Sequence, residues 1–91
     1  MYILASRRNG TLYTGVTADL SKRVWSHRQG AGSRFTSTYG VTRLVWYARF
    51  EDIRDAIETE KRIKRWRRAW KLEFIEKSNP QWLDLYETLN S

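Results

Sequence analysis

Short runs of β-forming side chains near the start of the chain predict two strands joined by a tight turn. Residues 2–6 and 11–16 are rich in aromatic and β-branched side chains, and the Asn-Gly pair at positions 9–10 favours a hairpin turn between them. With a two-residue turn there, even-numbered residues of the first strand pair with odd-numbered residues of the second, and a four-residue turn gives the same parity. We therefore expect Tyr2 and Tyr13 to share one face of the sheet.

The next segments predict a helix, a loop and a third strand. Asp19 is a plausible N-cap, and the residues after it fall at the i, i+3, i+4 and i+7 positions of one helical face: Leu20, Arg23, Val24 and His27. Residues 30–33 end this helix and open a flexible, basic loop that continues through Arg34. Residues 44–48 are rich in β-forming side chains and predict the third strand.

Two more helices complete the pattern. Asp52 is a plausible cap for a helix of about 25 residues. Its apolar side chains would form one stripe: Ile53, Ala56, Ile57, Ile63, Trp70 and Phe74. Asn79 followed by Pro80 is typical of an N-cap and the first helical position, so it predicts a last short helix.

The predicted element order is β-β-α-β-α-α. It indicates a small mixed α/β domain of the α+β type, with a three-stranded, mainly antiparallel sheet flanked by helices. A length of 91 residues leaves no room for a second core, so we expect one domain over residues 1–91.

Composition narrows the classes of site and location. The chain has no Cys and one His, which excludes disulfides, thiolate metal sites and multi-histidine zinc sites. Any metal would be held mainly by carboxylates, which favours Mg²⁺ or Mn²⁺. No apolar run approaches the length of about 18 residues that a membrane span needs. We expect a cytoplasmic protein.

The positive charge is concentrated in one segment. Residues 61–71 contain seven basic and no acidic side chains, while the rest of the chain holds ten of each. Five of the basic side chains have helical spacing: Lys61, Lys64, Arg65, Arg68 and Lys71. Such a block favours an anionic polymer such as DNA as partner. A solvated helix face and a helix that binds anionic lipid are the alternatives.

Three polar residues interrupt apolar faces. Glu60 breaks the stripe of the long predicted helix, and a buried carboxylate is costly unless it is paired or bound to metal. An ion pair with Lys64 is the alternative explanation, whereas Glu58 faces away from the stripe. Arg23 and His27 lie one turn apart on the face that also carries apolar residues. An inward arginine usually binds a carboxylate or a phosphate.

The order and spacing of these residues resemble a known family. Tyr2 is followed after eleven residues by Tyr13 in a Tyr-Thr-Gly motif, after ten more by Arg23, after four more by His27, and later by Glu60 on a helix. This set resembles the GIY-YIG endonuclease superfamily, and most of all its small stand-alone bacterial members. The glycine of the family's first motif would fall before Met1. Asn79 lies where the family often has a late asparagine.

The resemblance implies a three-stranded antiparallel sheet flanked by helices and hydrolysis of a phosphodiester bond with one divalent metal, Mg²⁺ or Mn²⁺. Glu60 would be the protein's carboxylate ligand to the metal, and Arg23 would neutralise charge on the phosphoryl oxygens. The remaining roles follow from the same resemblance. Tyr13 would position the attacking water, and Tyr2 would hydrogen-bond to the nucleophile or the phosphate. His27 would relay a proton from Tyr13, and Asn79 would support these groups without touching the substrate.

The resemblance also suggests DNA as substrate, contacted through its backbone with little sequence specificity. The contacts would come from the 61–71 block and from Arg34, with Arg28 and Arg7 or Arg8 as further candidates. Trp66, or an exposed aromatic of the 30–39 loop, could stack on an unpaired base, which would favour branched or single-stranded DNA in repair or recombination. Two other functions stay open: a binding module without catalysis, and a nuclease domain inactive until a protein partner targets it.

Overall fold

The computed structural model describes residues 1–89. It contains a three-stranded sheet and five helices within that range, so the predicted α+β class is confirmed. In chain order the elements are β1 (Tyr2–Ala5), β2 (Leu12–Gly15), α1 (Leu20–Arg28), α2 (Arg34–Tyr39), β3 (Arg43–Tyr47), α3 (Ile53–Lys64), α4 (Arg68–Ser78) and α5 (Tyr86–Leu89). None of the helices in residues 1–89 has the length and apolar character needed to cross a bilayer.

The sheet has the order β2-β1-β3, and both pairs of strands are antiparallel. Leu4 pairs with Tyr13 and Tyr2 with Gly15, so the predicted parity is confirmed. The turn between the two strands has four residues and not two. Ser6 pairs with Thr11 through a 3.0 Å backbone bond, and residues 7–10 form a four-residue turn. Asn9 adopts a left-handed φ of 57° inside that turn.

The central strand β1 is completely buried and divides the core into two layers. Tyr2 and Leu4 face α1, where they pack with Val24. Ile3 and Ala5 face the opposite side and belong to a cluster with Ile75 of α4 and with Trp82: Ile3, Ala5, Val45, Ile75 and Trp82. Residues on the α1 side of β1 are therefore separated from α4 by the sheet itself.

One long helix was predicted after Asp52, and that prediction is wrong. The helix is interrupted at residues 65–67, so the segment forms the two helices α3 and α4. A helix of about 25 residues would be about 38 Å long, whereas the fold extends only 29 × 28 × 28 Å. Arg67 takes an extended conformation, with ψ of 149°, and α4 then turns back toward the sheet. Phe74 packs there on Trp46 at 4.8 Å between ring centroids. Tertiary packing, rather than a Gly or Pro, ends α3.

The break also changes the predicted apolar stripe. Ala56 and Ile63 are buried as expected. Ile53 and Ile57 lie largely exposed, and Trp70 is 54% exposed, so its place in the stripe is wrong. The stripe of α3 is therefore short, and on α4 Phe74 packs as predicted, together with Leu72 and Ile75 instead of Trp70.

Asn79 and Pro80 open a turn instead of the predicted helix, and helix α5 begins only at Tyr86. Asn79 ends α4, and its buried side chain holds the turn together. Its Nδ2 donates to the carbonyls of Val45 at 3.1 Å and Leu83 at 2.9 Å, while its Oδ1 accepts from the Leu83 N–H at 3.0 Å. Trp82, with a φ of 55°, is fully buried in the same turn.

This turn covers the outer edge of β3. The Asp84 carboxylate accepts from the Leu44 N–H at 3.2 Å, and Leu85 N–H donates to the Leu44 carbonyl at 2.7 Å. Val45, which bonds to Asn79, lies where the β1–β3 register shifts. An uncovered strand edge would leave such backbone groups available to another chain. Residues 79–85 therefore act in place of a fourth strand.

We expect Asn79→Ala to lower the free energy of unfolding by about 2–3 kcal/mol, because it removes three hydrogen bonds to buried or partly buried backbone groups. Gln81→Ala, in the same turn but exposed, should change it by less than about 0.5 kcal/mol. Urea denaturation of both variants measures the difference. Equal stabilities would contradict the role of Asn79 at the β3 edge.

Candidate active site

Three aromatic rings from three elements meet on the α1 side of the sheet. Ring centroids of Tyr2 and Tyr13 lie 6.2 Å apart, those of Tyr2 and His27 5.8 Å, and those of Tyr13 and His27 5.2 Å. The register of β1 and β2 brings the two tyrosines together, and α1 places His27 beside them. Gly15 lies opposite Tyr2, and a Cβ there would come within 2.6 Å of the Tyr2 hydroxyl. The glycine of the Tyr-Thr-Gly motif therefore makes room for the Tyr2 ring.

The His27 ring is fully buried and has a hydrogen-bond partner at each nitrogen. Its Nε2 lies 3.1 Å from the Tyr2 hydroxyl, and its Nδ1 lies 2.8 Å from the Thr36 hydroxyl of α2. Because Thr36 donates its own hydrogen to the Ser33 carbonyl at 3.2 Å, it accepts from His27. We therefore assign the proton of the neutral imidazole to Nδ1, and Tyr2 donates to Nε2.

The close approach of the loop before α2 depends on Gly32. A Cβ at that position would lie 2.2 Å from His27 Nδ1. Ser33 caps α2 by accepting from the Thr36 N–H at 3.1 Å, and its hydroxyl lies 2.9 Å from that of Thr36. Residues 30–33 form a loop, as predicted, but the sequence analysis missed α2, because it continued the loop through Arg34 and beyond. The signal was Ser33 followed three residues later by a hydrogen-bonding side chain, which resembles a capping box.

Arg23 lies beside both phenols. Hydrogen bonding to Tyr2 is the largest cause that raises the pKa of Arg23, and Tyr13 adds to it. Burial raises the pKa of Tyr2 to about 12, and the hydrogen bond from Arg23 opposes this only in part. Burial, and then the charge of Arg23, lower the pKa of His27 below its usual value. At neutral pH Tyr2 is therefore protonated and His27 is uncharged.

Glu60 lies on α3, which packs against β2. Its side chain is 18% exposed and forms an ion pair with Lys64 at 2.8 Å, as the alternative explanation anticipated. Burial lowers the pKa of the Met1 amino group, and the nearby negative charge of Glu60 opposes that shift. Glu60 therefore lies close to Met1, the residue that precedes Tyr2 at the start of β1. Glu58, by contrast, is 74% exposed and 3.9 Å from Arg62.

The donor set suits a hard divalent cation. Within residues 1–89, no three histidine or carboxylate side chains come together, so a metal at Glu60 would have few protein ligands. Mg²⁺ and Mn²⁺ accept one carboxylate with water in the other positions. The ammonium group of Lys64 already places a positive charge beside this carboxylate. A single carboxylate is compatible with such an ion, so Glu60 stays the predicted metal ligand.

The predicted DNA-binding side chains divide into two groups. Arg34, Lys61 and Arg65 are exposed, and Lys71 is partly exposed. Arg68 instead donates to the carbonyls of Asn9 and Gly10, both at 2.6 Å, and so holds the β1–β2 turn. Arg28 forms an ion pair with Asp84 at 2.5 Å and lies over the Tyr86 ring. Because the helix breaks after Lys64, the set does not form a single helical face.

Four of the predicted site residues come together on one face: Tyr2, Tyr13, Arg23 and His27. Glu60 lies at the end of the sheet where β1 begins. Asn79 does not join them. It bonds to the outer edge of β3, while Tyr13 lies on β2 at the other edge of the sheet. Thr36 contacts His27, and Ser33 in turn contacts Thr36, but neither was predicted from the sequence.

Comparison with known proteins identifies relatives over most of the chain. A model of the GIY-YIG catalytic domain matches residues 1–73. A UPF0213 protein of Clostridium perfringens is 39% identical, over 82% of this chain and 80% of its own length. UPF0213 proteins of Bacillus pumilus, 37% identical over 75% of this chain and 69% of theirs, and of Pediococcus pentosaceus, 32% over 85% and 80%, are also similar. No solved structure was found to match. The chain belongs to the GIY-YIG catalytic domain family.

Proposed function

We propose that this protein is a metal-dependent endonuclease that hydrolyses phosphodiester bonds of DNA with little sequence specificity. The observation that carries the proposal is Arg23, a permanent cation that is hydrogen-bonded to the phenols of Tyr2 and Tyr13 and lies near an uncharged His27. The family match supports a nuclease, and the local chemistry supports the roles of individual residues.

Arg23 suits a phosphate because its partners carry no negative charge. Two neutral phenols orient the guanidinium without cancelling its charge. A carboxylate partner would neutralise that charge and compete with an incoming anion. In this proposal Arg23 binds the phosphoryl oxygens and stabilises the charge that grows on them in the transition state.

The two tyrosines differ in environment. Tyr2 is buried, and its raised pKa of about 12 keeps it protonated, so it positions neighbouring groups. Tyr13 is partly exposed and therefore accessible to a water molecule. Tyr13 is also hydrogen-bonded to Tyr2, whose hydroxyl contacts His27 Nε2. In the relay expected from the family, with Tyr2 as an intermediate, three transfers would occur together: the attacking water gives a proton to the Tyr13 oxygen, Tyr13 gives its own proton to Tyr2, and Tyr2 gives its own to His27 Nε2. The imidazolium formed in this way would be short-lived, because burial and Arg23 both disfavour it.

Glu60 would hold the divalent cation, with water and phosphate as the other ligands. When bound, the cation would act as a Lewis acid on the phosphate and on the leaving oxygen. Lys64 shares the Glu60 carboxylate in the structure, so binding of the cation would release its ammonium group.

The exposed cations would bind the DNA backbone without reading its sequence: Arg34, Lys61, Arg65 and Lys71. Such an enzyme would act in the cytoplasm, in repair or recombination, on its own or with a protein partner that supplies targeting. The Glu60–Lys64 ion pair also favours a second candidate, a DNA-binding module without catalysis, because the carboxylate already has a partner.

We expect the wild-type protein to nick supercoiled plasmid with Mg²⁺ or Mn²⁺ and not with EDTA. Glu60→Ala should lower the rate about 100-fold or more, because it removes the protein ligand of the metal. Glu58→Ala is the matched control on the same helix, since it also removes an i,i+4 ion pair, and should leave the rate within about twofold. Gel assays of nicking, with DNA binding measured in parallel, test both variants.

An absence of cleavage with either metal, together with equal DNA binding by wild type and Glu60→Ala, would contradict the stand-alone nuclease and support the binding module. Cleavage that appears only after another protein is added would instead support the partner-dependent nuclease.

Thr36→Val should disturb the site without removing any group that touches the substrate. It keeps the shape of the side chain but removes the oxygen that accepts from His27 Nδ1. We expect a fall in kcat of about tenfold or more with little change in KM, and restoration by Thr36→Ser, because the tautomer that accepts from Tyr2 is no longer fixed. The chain has one histidine, so ¹⁵N chemical shifts report its tautomer directly.

The spectra of the wild type should show an Nδ1-protonated, neutral ring with a pKa below that of free histidine, since burial and Arg23 both disfavour the charged form. Thr36→Val should increase the Nε2-protonated tautomer. An unchanged tautomer with a reduced kcat would show that Thr36 acts through the position of α2 instead.

A further inference from the structure

Phe35 and Tyr39 form an exposed aromatic pair next to the candidate active site. They lie four residues apart on one face of α2, with ring centroids 4.9 Å apart. Phe35 is 42% and Tyr39 57% exposed. Phe35 also lies 6.2 Å from the Tyr13 ring, so the pair continues from the phenols out to solvent. Single exposed aromatics are common, but two exposed rings in contact beside a functional group form an apolar patch that suits a ligand with a flat face.

We propose that Phe35 and Tyr39 stack on an unpaired base of the nucleotide beside the scissile phosphate, so that the enzyme acts on single-stranded DNA. This inference rests on the proposed nuclease function. In a duplex the faces of the bases are covered by their neighbours, and only an unpaired base presents a face to an aromatic side chain. The preference for single-stranded DNA then comes from stacking on the aromatic surface beside Tyr13 and not from hydrogen bonds to the edges of the bases.

The aromatic pair is held in a fixed position relative to the site. Thr36, between the two rings in sequence, is fully buried and bonds to His27 at 2.8 Å. Ser33 caps the start of α2, and Gly40 ends it in the left-handed conformation, with φ of 63°. A rigid surface costs less conformational entropy when it binds than a mobile loop would. The same short helix therefore carries both the Thr36 hydroxyl that accepts from His27 and the exposed ring of Phe35.

Charge around the pair suits a nucleic acid strand. Arg34 precedes Phe35 and is exposed, and Arg23 lies beside the phenol of Tyr13, whose ring is next to that of Phe35. A strand with one phosphate at Arg23 and the next toward Arg34 would place the base between them near the rings of Phe35 and Tyr39. Stacking supplies affinity here without sequence preference, because every base has a flat face.

A second aromatic surface lies elsewhere and would not serve the same nucleotide. Trp66, Trp70 and Phe74 line a shallow pocket of about 260 Å³ on α4 and the segment before it. Helix α4 packs on the face of the sheet opposite to Tyr2 and His27. A base bound there would be separated from the phenols by the sheet.

The test compares oligonucleotides of one sequence as a single strand, as a duplex, and as single strands with one abasic nucleotide at each position around the cleavage point. The wild type should cleave the single strand faster than the duplex. One abasic nucleotide beside the scissile phosphate should slow it about 5- to 100-fold. Phe35→Leu, which keeps the packing on Tyr13, and Tyr39→Ala should slow cleavage of the intact strand by a similar factor. In these variants, removal of the base beside the scissile phosphate should cause no further slowing.

Trp25→Ala is the matched control, since Trp25 is 53% exposed on α1 and lies outside both surfaces. It should retain the wild-type rates and the wild-type response to the abasic nucleotide. Equal losses on single strand and duplex in Phe35→Leu, or an abasic effect that persists in that variant, would overturn the proposal. Loss of the abasic effect in Trp70→Ala alone would overturn it too, and would move the stacking site to α4.

Binding separates this proposal from the nuclease proposal. Fluorescence anisotropy of labelled single strands and duplexes in EDTA needs no cleavage. If the wild type cleaves nothing but Phe35→Leu still binds single strands several-fold more weakly than wild type, with duplex binding unchanged, the stacking surface stands and the nuclease function fails. If cleavage depends on Glu60 but neither cleavage nor binding of single strands depends on Phe35, the nuclease stands and the stacking surface fails.

Discussion

His27 is completely buried, and its two nitrogens bond to Tyr2 of β1 and Thr36 of α2. A buried imidazole is tolerated only when both nitrogens are satisfied, and a proton added to it would be costly in this environment. This requirement ties the sheet, α1 and α2 together at one point. In the tautomer assigned above, Tyr2 is the donor, so the same bonds that stabilise the fold orient the Tyr2 hydroxyl. Structure and candidate chemistry therefore depend on one uncharged ring.

Two glycines make that arrangement possible by what they lack. Gly15 leaves space for the Tyr2 ring across β2, and Gly32 leaves space for the His27 ring under the loop before α2. In both places the backbone approaches an aromatic ring more closely than any Cβ would allow. A change of either glycine to alanine would displace an aromatic ring of the site as well as create a local clash. The motif glycine is thus explained by packing against Tyr2, independently of any family argument.

The sequence predicted the parts of the site that depend on local periodicity. The parity of the hairpin placed Tyr2 beside Tyr13, and the helical spacing placed Arg23 on the face of His27. It failed where tertiary packing decides the outcome. Residues 65–67 include no Gly or Pro that would predict the end of a helix. The helix ends there because the fold is too small for the full predicted length. Asn79 followed by Pro80 carries the same local signal in a helix start and in the turn that covers β3, and only the open edge of that strand selects the turn.

The distribution of charge shows why the basic segment overstates the positive surface. Arg68 of that segment donates its hydrogen bonds to the β1–β2 turn, just as Arg28, outside the segment, donates to Asp84. Lys64 is paired with Glu60. Arg23 differs from all three, because neutral hydroxyls hold it and its charge stays uncompensated within the site. The cation that matters most for an anionic substrate therefore lies outside the basic segment, on a helix of almost ordinary composition. Counting charges along the sequence locates the segment with the most positive charge, whereas the partners of each cation decide where a phosphate can be held.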